Sequence, residues 1–386
     1  MAHDNSKLAA LSDLGQSVWL DFVSRDLLRS GRLDELVSQG VSGMTTNPTI
    51  FDKAIGQGHS YDEQIDEAVA HGRSTAEIAD ALIVADVRTA CDVMRPVYEQ
   101  TGHLDGYVSI EVPPALAYDT GKTVNEAHRL HGAVGRPNLM VKIPGTRQGL
   151  AAIRRTIADG LNTNVTLLFA VEVYEGVIDA YLGGLEDRVA RGEAIDEVRS
   201  VASFFVSRVD VKADHQIDEK LADQADRIVG ARLENLKGTL AVANAKLAYR
   251  RFLEISSTGR WHRLAERGAQ SQRLLWASTG AKNPDYDDLL YVDNLIGPQT
   301  VNTMPEETLQ AFLDHGVVRR TVDQGFEEAR DRFAQAAVLA VDMRAITEAL
   351  QTEGVALFRE SFKALLASVD RKRRHLLTGK EGRLSA

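Results

Sequence analysis

The chain has 386 residues, 44% of them hydrophobic and 26% charged, with 55 acidic against 45 basic side chains and a net charge of -10. That composition belongs to a globular protein with a sizeable core, and the acidic balance excludes a broad nucleic-acid surface, whose footprint is basic. A single cysteine, Cys91, excludes an intrachain disulfide and a cysteine-built zinc site; no window reaches membrane length and no export signal opens the chain, so a soluble cytoplasmic protein is expected.

In chain order, β-rich runs recur with helical patterns between them. They are "VWLDFVSR" (18–25), "VSGMTTN" (41–47), "GYVSIEV" (106–112), "LMVKIP" (139–144), "NVTLLF" (164–169), "SVASFFVSR" (200–208), "LLWAS" (274–278) and "TVNTM" (300–304). Segments such as "TAEIADALIVADVRTACDVM" and "GTLAVANAKLAYRRFL" carry apolar residues at spacings of three and four and predict helices. Eight strands alternating with helices predict parallel pairing and a closed (β/α)8 TIM barrel. About 60 residues separate the second strand from the third and about 65 the sixth from the seventh, so each gap is expected to hold extra helices. Beyond "PEETLQAFLDHG" the pattern is helical without strands. A catalytic barrel over 1–316 and a helical extension over 317–386, packed on the barrel, are therefore expected. The basic run "RKRRH" (371–375) reads as a solvated last helical turn.

Period-two alternation sorts each strand into two faces. Asp21 opposes Leu20 and Phe22; Ser109 and Glu111 oppose Ile110 and Val112; Met140 and Lys142 oppose Val141 and Ile143; Asn164 and Thr166 oppose Val165 and Leu167. The apolar face meets the outer helices. The other face of a barrel points at the axis, so a lysine, two carboxylates and an amide from four strands converge. A lone strand lysine is usually a snorkelling surface residue and a lone carboxylate part of an ion pair; the shared division across four strands argues for a site instead.

The chemistry such a set supports is amine catalysis. A desolvated lysine loses its proton more readily and can attack a ketone to give a Schiff base. One carboxylate then serves imine formation and the other removes a hydroxyl proton as a carbon-carbon bond breaks. Other chemistries fit poorly. "TGKT" (120–123) has Leu116 where a phosphate-binding loop needs glycine, and His128 and His131 on one helix read as surface or packing residues, so no metal is expected.

Together and in order, "GMTTNPTIFDKAI", "VSIEV", "RPNLMVKIPGT", "NVTLLFA" and "ASFFVSRVD" closely resemble the transaldolase family, in particular its longer bacterial forms with an extended C-terminus. The resemblance implies a barrel of the class I aldolase type, needing no metal or organic cofactor. It implies transfer of a dihydroxyacetone unit between sugar phosphates in the non-oxidative pentose phosphate pathway, by a monomer or homodimer. Carried over by motif, Lys142 matches the Schiff-base lysine, Asp21 the acid/base for aldol cleavage, Glu111 the acid/base acting through a water, and Thr166 the residue positioning that water. Asn47 and Asn164 match amides that hold substrate hydroxyls, and Ser203 and Arg208 the phosphate-site serine and arginine. Where short forms of the family place a second arginine, this chain reads "WASTGAKNP", which leaves Ser278 and Lys282 as substitutes; lysine lacks the bidentate fork. Pro48 restricts Asn47 to an extended backbone, which turns its amide toward the barrel mouth; the alternative is a purely local cap. Alternatives to transfer are a lyase releasing free dihydroxyacetone and a catalytically idle barrel that binds sugar phosphates.

Overall fold

A computed structural model of the chain describes residues 6–384. Eight parallel strands close into a barrel: β1 (Gln16–Leu20), β2 (Gly43–Met44), β3 (Tyr107–Glu111), β4 (Leu139–Pro144), β5 (Thr163–Leu168), β6 (Ser200–Phe205), β7 (Arg273–Ala277) and β8 (Thr300–Met304). Each pairs with the next and β8 returns to β1, which is the expected (β/α)8 architecture. The outward apolar sets, such as Leu139, Val141 and Ile143 on β4, are fully buried in one hydrophobic core.

β2 is reduced to two residues, and a bulky neighbour explains the glycine in it. A Cβ on Gly43 would lie 2.5 Å from the indole of Trp19, so only glycine lets that ring fill the barrel beside it. The two long gaps do hold extra helices, Pro48–Gln57, Asp62–Ala70 and Thr75–Gln100 in the first, and Ser207–Ala222, Arg227–Glu234, Leu240–Ser256 and Gly259–Ala265 in the second. A capping box starts the helix Thr75–Gln100: Ser74 and Glu77 satisfy each other's backbone N–H groups.

Besides the short β2 and a β1 that ends at Leu20 instead of running through 18–25, so that Asp21 lies just past the strand, three further boundaries differ from the sequence expectation. β6 stops at Phe205, and Arg208 rides the first turn of the helix Ser207–Ala222 instead of a strand. The buried residues Val209, Ala213 and Ile217 recur every four positions there, a helical period, and the run "SVASFFVSR" spans the change. The alternation in "NVTLLF" holds through Thr166 and breaks at Leu167, where φ is +62° and the pairing with β6 slips between Val165 and Leu168. The run "RKRRH" is not a last turn: it lies inside the helix Met343–Leu384, where the Lys372 ammonium reaches Asp62 at 2.5 Å.

"TGKT" opens the helix Thr120–Val134, capped by Asp119, whose Oδ1 accepts from the Lys122 N–H at 3.0 Å. His128 lies 3.0 Å from Asp159 in a surface pair. Beyond β8 come the helices Glu306–His315, Phe326–Val338 and Met343–Leu384, the last 42 residues long. That last helix runs along Pro48–Gln57 and meets β5 and the loop after β3, so it crosses the C-terminal mouth of the barrel. Its Val355, Leu365 and Val369 belong to the same hydrophobic core as the barrel. Among the described residues no helix is long and apolar enough to cross a membrane.

Candidate active site

Strand register sets the centre of the site. Glu111 pairs with Lys142 and Lys142 with Asn164, so the three stand in one row across β3, β4 and β5, with Thr166 beside Pro144 nearer the rim. Asp21 follows β1 directly, its N–H still bonded to the Met304 carbonyl at 2.8 Å, which carries the barrel ladder one residue further. Eight of the ten candidate residues line one cavity of about 590 Å³ at the C-terminal end of the strands: Asp21, Asn47, Lys142, Thr166, Ser203, Arg208, Ser278 and Lys282. The other two, Glu111 and Asn164, stand behind its wall, Glu111 against the Lys142 ammonium and Asn164 hydrogen-bonded to Ser203. The C-terminal mouth is where barrel enzymes keep their chemistry.

Lys142 is 5% exposed. Its Nζ donates to the Thr46 carbonyl at 3.2 Å and lies 3.8 Å from Glu111 Oε2, close enough for charge attraction but not for a direct hydrogen bond. Burial pushes the Glu111 carboxyl up to about 7; the positive charge of Lys142 works against this rise and the negative charge of Asp21 adds to it. Glu111 Oε2 and the Thr166 hydroxyl are both buried and accept or donate no hydrogen bond among the described residues. A carboxyl that titrates near neutrality beside an amine is suited to passing protons in both directions.

The floor of the cavity is a fixed chain of hydrogen bonds. Ser203 Oγ donates to Asn164 Oδ1 at 2.6 Å, and Asn164 Nδ2 donates to Ser109 Oγ at 3.0 Å. The hydroxyl of Ser203 is therefore engaged with Asn164, and each amide end of Asn164 has one partner. Asp21 is oriented by Thr45, whose hydroxyl donates to Asp21 Oδ1 at 2.7 Å and also meets the Thr303 hydroxyl at 2.7 Å. Asn47 unites both sequence expectations. Its backbone is extended, as Pro48 requires, its Oδ1 caps the helix Pro48–Gln57 by accepting from the Ile50 N–H at 3.1 Å, and the residue still lines the cavity. With the carbonyl committed, its NH2 is what it can offer a ligand.

Arg208 enters the cavity half-buried, its guanidinium 5.4 Å from the Phe205 ring and without an ion pair among the described residues. Burial lowers its pKa, and the charge of Asp21 opposes that. Ser278 follows β7 in the left-handed region, with φ at 58°, and its hydroxyl lies 3.0 Å from that of Ser207. A serine held there is locally strained, a cost that structures tolerate mainly at functional sites. Lys282 is exposed at the rim.

Besides Thr45, Thr303, Glu306 and Glu307, the sequence reading missed two further groups in the wall. Lys53 lines the cavity from the helix Pro48–Gln57, exposed and without an ion pair among the described residues. The available signal was the spacing of three from Asn47 to Ile50 to Lys53, which puts all three on one helical face; a lysine on a helix otherwise reads as solvated. Leu357, Phe358 and Ser361 line it from the helix Met343–Leu384. Nothing local marks them, because their role comes from where a helix more than 150 residues beyond β5 folds back.

Set against known proteins, residues 18–369 match the sequence model of the family described as Transaldolase/Fructose-6-phosphate aldolase. The chain is 47% identical to "Transaldolase 2" of Nostoc sp. over 95% of this chain and 97% of that one. It is 48% identical to "Transaldolase" of Parafrankia sp. over 94% and 96%, and 47% identical to "Transaldolase" of Mycobacterium marinum over 95% and 97%. A buried lysine beside one acid and sharing its cavity with another, at the mouth of an eight-stranded barrel, thus coincides with a match over nearly the whole length: the chain belongs to the transaldolase/fructose-6-phosphate aldolase family.

Proposed function

We propose that this enzyme is a transaldolase that carries a dihydroxyacetone unit on Lys142 from a ketose phosphate to an aldose phosphate. Fructose 6-phosphate and sedoheptulose 7-phosphate are the donors, glyceraldehyde 3-phosphate and erythrose 4-phosphate the acceptors, as in the non-oxidative pentose phosphate pathway. The single observation that carries this reading is the placement of a nearly inaccessible lysine amine 3.8 Å from a carboxyl pushed up to about 7, at a cavity also lined by Asp21 and by cations without an ion pair among the described residues.

The neutral Lys142 amine attacks C2 of the donor, and the resulting carbinolamine loses water with Glu111 supplying the proton. Thr166, its hydroxyl buried beside this row and unpartnered among the described residues, holds the water through which Glu111 acts. Asp21, fixed by Thr45, takes the C4 hydroxyl proton; the C3–C4 bond breaks, its electron pair moves into the iminium, and the aldose phosphate leaves. The remaining enamine is held through its hydroxyls by the Asn47 NH2 and by the Ser203–Asn164 pair until an acceptor aldehyde arrives and the steps run in reverse. Arg208 and Lys282, with Ser278 between their segments, receive the phosphate and give a net-acidic protein its local attraction for an anion. A cavity of about 590 Å³ suits a six- or seven-carbon sugar phosphate.

Borohydride reduction in the presence of fructose 6-phosphate tests the assignment. A three-carbon adduct on Lys142, found by peptide mass spectrometry, is expected; an unmodified Lys142 in protein that still turns over would overturn it.

A further inference from the structure

The helix Met343–Leu384 presents one stripe to the barrel mouth: Gln351, Gly354, Phe358, Ser361, Leu365 and Ser368 recur at spacings of three and four. Its height above the site is fixed at three points. Gln351 Nε2 donates to the carbonyl of Gly145 at 3.1 Å and, more weakly, to that of Leu167 at 3.4 Å, residues that follow Pro144 at the end of Lys142's strand and Thr166 on β5. At Gly354 a Cβ would come within 3.0 Å of the Leu167 side chain, so glycine brings the helix against the slipped end of β5. The Thr49 hydroxyl donates to Ser361 Oγ at 2.9 Å, which ties the helix to the wall that carries Asn47. One turn from both Gly354 and Ser361, Phe358 hangs into the cavity with its ring centroid 5.7 Å from Lys142 Nζ.

We propose that Phe358 is a positioning residue for Lys142: its ring covers the amine and the imine formed there, and keeps water from the enamine so that the three-carbon unit reaches an aldehyde. The inference rests on the Schiff-base reading above. An aromatic face attracts the ammonium and, equally, the iminium that replaces it, and does so best where water is excluded. With the ring gone, water reaches the carbon that the aldehyde should meet. The enamine C3 takes a proton, water adds to C2 of the iminium, the C–N bond breaks, and dihydroxyacetone leaves as the Lys142 amine is restored. The water released during imine formation is returned, so the sum is cleavage of the ketose phosphate into dihydroxyacetone and aldose phosphate. The roof is thus what keeps a lysine aldolase site acting as a transferase.

The test measures free dihydroxyacetone per sedoheptulose 7-phosphate formed from fructose 6-phosphate and erythrose 4-phosphate, in wild type, Phe358→Ala, Phe358→Leu and Phe358→Tyr. Loss of a water-shielded cation–π contact is expected to raise that ratio about ten-fold in the Ala and Leu variants through kcat, with KM for fructose 6-phosphate little changed. Tyr, which keeps the ring face, is expected to stay near wild type. If Ala does not fold, Leu, which is smaller than the ring and has no aromatic face to cover the iminium, carries the test. An unchanged ratio in folded Leu protein, or Leu restoring wild-type behaviour while Tyr does not, would overturn the proposal. A wild-type protein with neither transfer nor release would instead refute the reaction assigned above.

Discussion

The barrel buries charge at both ends and treats it in opposite ways. At the end where the strands begin, Arg273 donates to Ser17 at 2.7 Å, to the Leu104 carbonyl at 2.9 Å and to Asp105 at 3.0 Å, and Trp19 Nε1 donates to the same carboxylate at 2.8 Å. Ser17 completes the set by donating to the second oxygen of Asp105. Both oxygens of that carboxylate are taken. At the other end Lys142 has one carbonyl bond and a carboxyl at 3.8 Å, and among the described residues Glu111 Oε2 and Thr166 Oγ1 have no partner and Arg208 no counter-ion in contact. A closed network holds strands together, whereas an open one is costly to fold and has bonding capacity left for a ligand. The same residue types therefore mean stability below and chemistry above, and what separates the two is how many bonds are already made.

The largest effects should divide along that line. Lys142→Met removes the proposed nucleophile, so transfer should fall roughly 10⁴-fold or more. Stability should hold or rise, because an apolar side chain replaces a buried cation and the neighbouring Glu111 carboxyl, already up at about 7, can take a proton. Asp105→Ala should do the reverse. It strands the Arg273 guanidinium, 6% exposed, and should lower unfolding free energy by about 3–5 kcal/mol while kcat in the protein that remains folded is unchanged. Urea unfolding monitored beside a coupled transfer assay reads both. A Lys142→Met protein as destabilised as Asp105→Ala would break the comparison.

Next comes the pH dependence of the open end. Glu111 goes from its usual 4.5 to about 7 in the folded protein, through burial first and the charge of Asp21 second. The folded state therefore binds this proton more tightly than the unfolded chain. Its contribution is fully present below 4.5, is lost as pH rises from there to about 7, and is flat above that. Glu111→Gln should remove that downward slope, and with it the inflection near pH 7 in kcat. Asp210, raised to about 7 by burial despite bonds from the Ala241 N–H and Tyr291, adds a parallel slope that stays in the variant. The wild-type minus variant difference isolates Glu111. An inflection that survives the change would assign it to another group.

How much of this was readable beforehand follows the range of the forces involved. The strands were legible because Lys142, Glu111, Asn164 and Thr166 interrupt otherwise apolar alternation, a period that only a sheet explains. β2 shrank to Gly43–Met44 because "TTN" turns to other partners: Thr45 reaches Asp21, and Thr46 bonds the Ser109 carbonyl and the Lys142 ammonium, contacts no local pattern encodes. Arg208 could be chosen by motif, but its element could not: strand and helix meet inside one unbroken apolar run. The motifs mark Ser203 and Asn164 both as ligand contacts, and only the fold reveals that they bond to each other. Phe358 was out of reach altogether, since a 42-residue helix states its own periodicity and not the surface on which it will lie.

The smallest effect concerns the edge of the open end, where Lys53 stands exposed on the cavity wall. It stands outside the buried row, so on the proposed reading it should act on an anionic substrate through encounter and weak binding. Lys53→Ala is expected to raise KM for sugar phosphates about two- to five-fold, leave kcat alone, and lose most of that effect in 0.5 M salt, where the Debye length is only ~4 Å. Arg208→Ala, by contrast, removes a half-buried guanidinium whose proposed bond to phosphate would be shielded; a rise in KM of about 10–100-fold that salt barely diminishes is expected. The two salt titrations together locate the boundary of the site. Should the Lys53 effect resist salt as the Arg208 effect does, the lysine folds inward onto the phosphate when substrate binds, and the open end extends one helix further than the strands that define it.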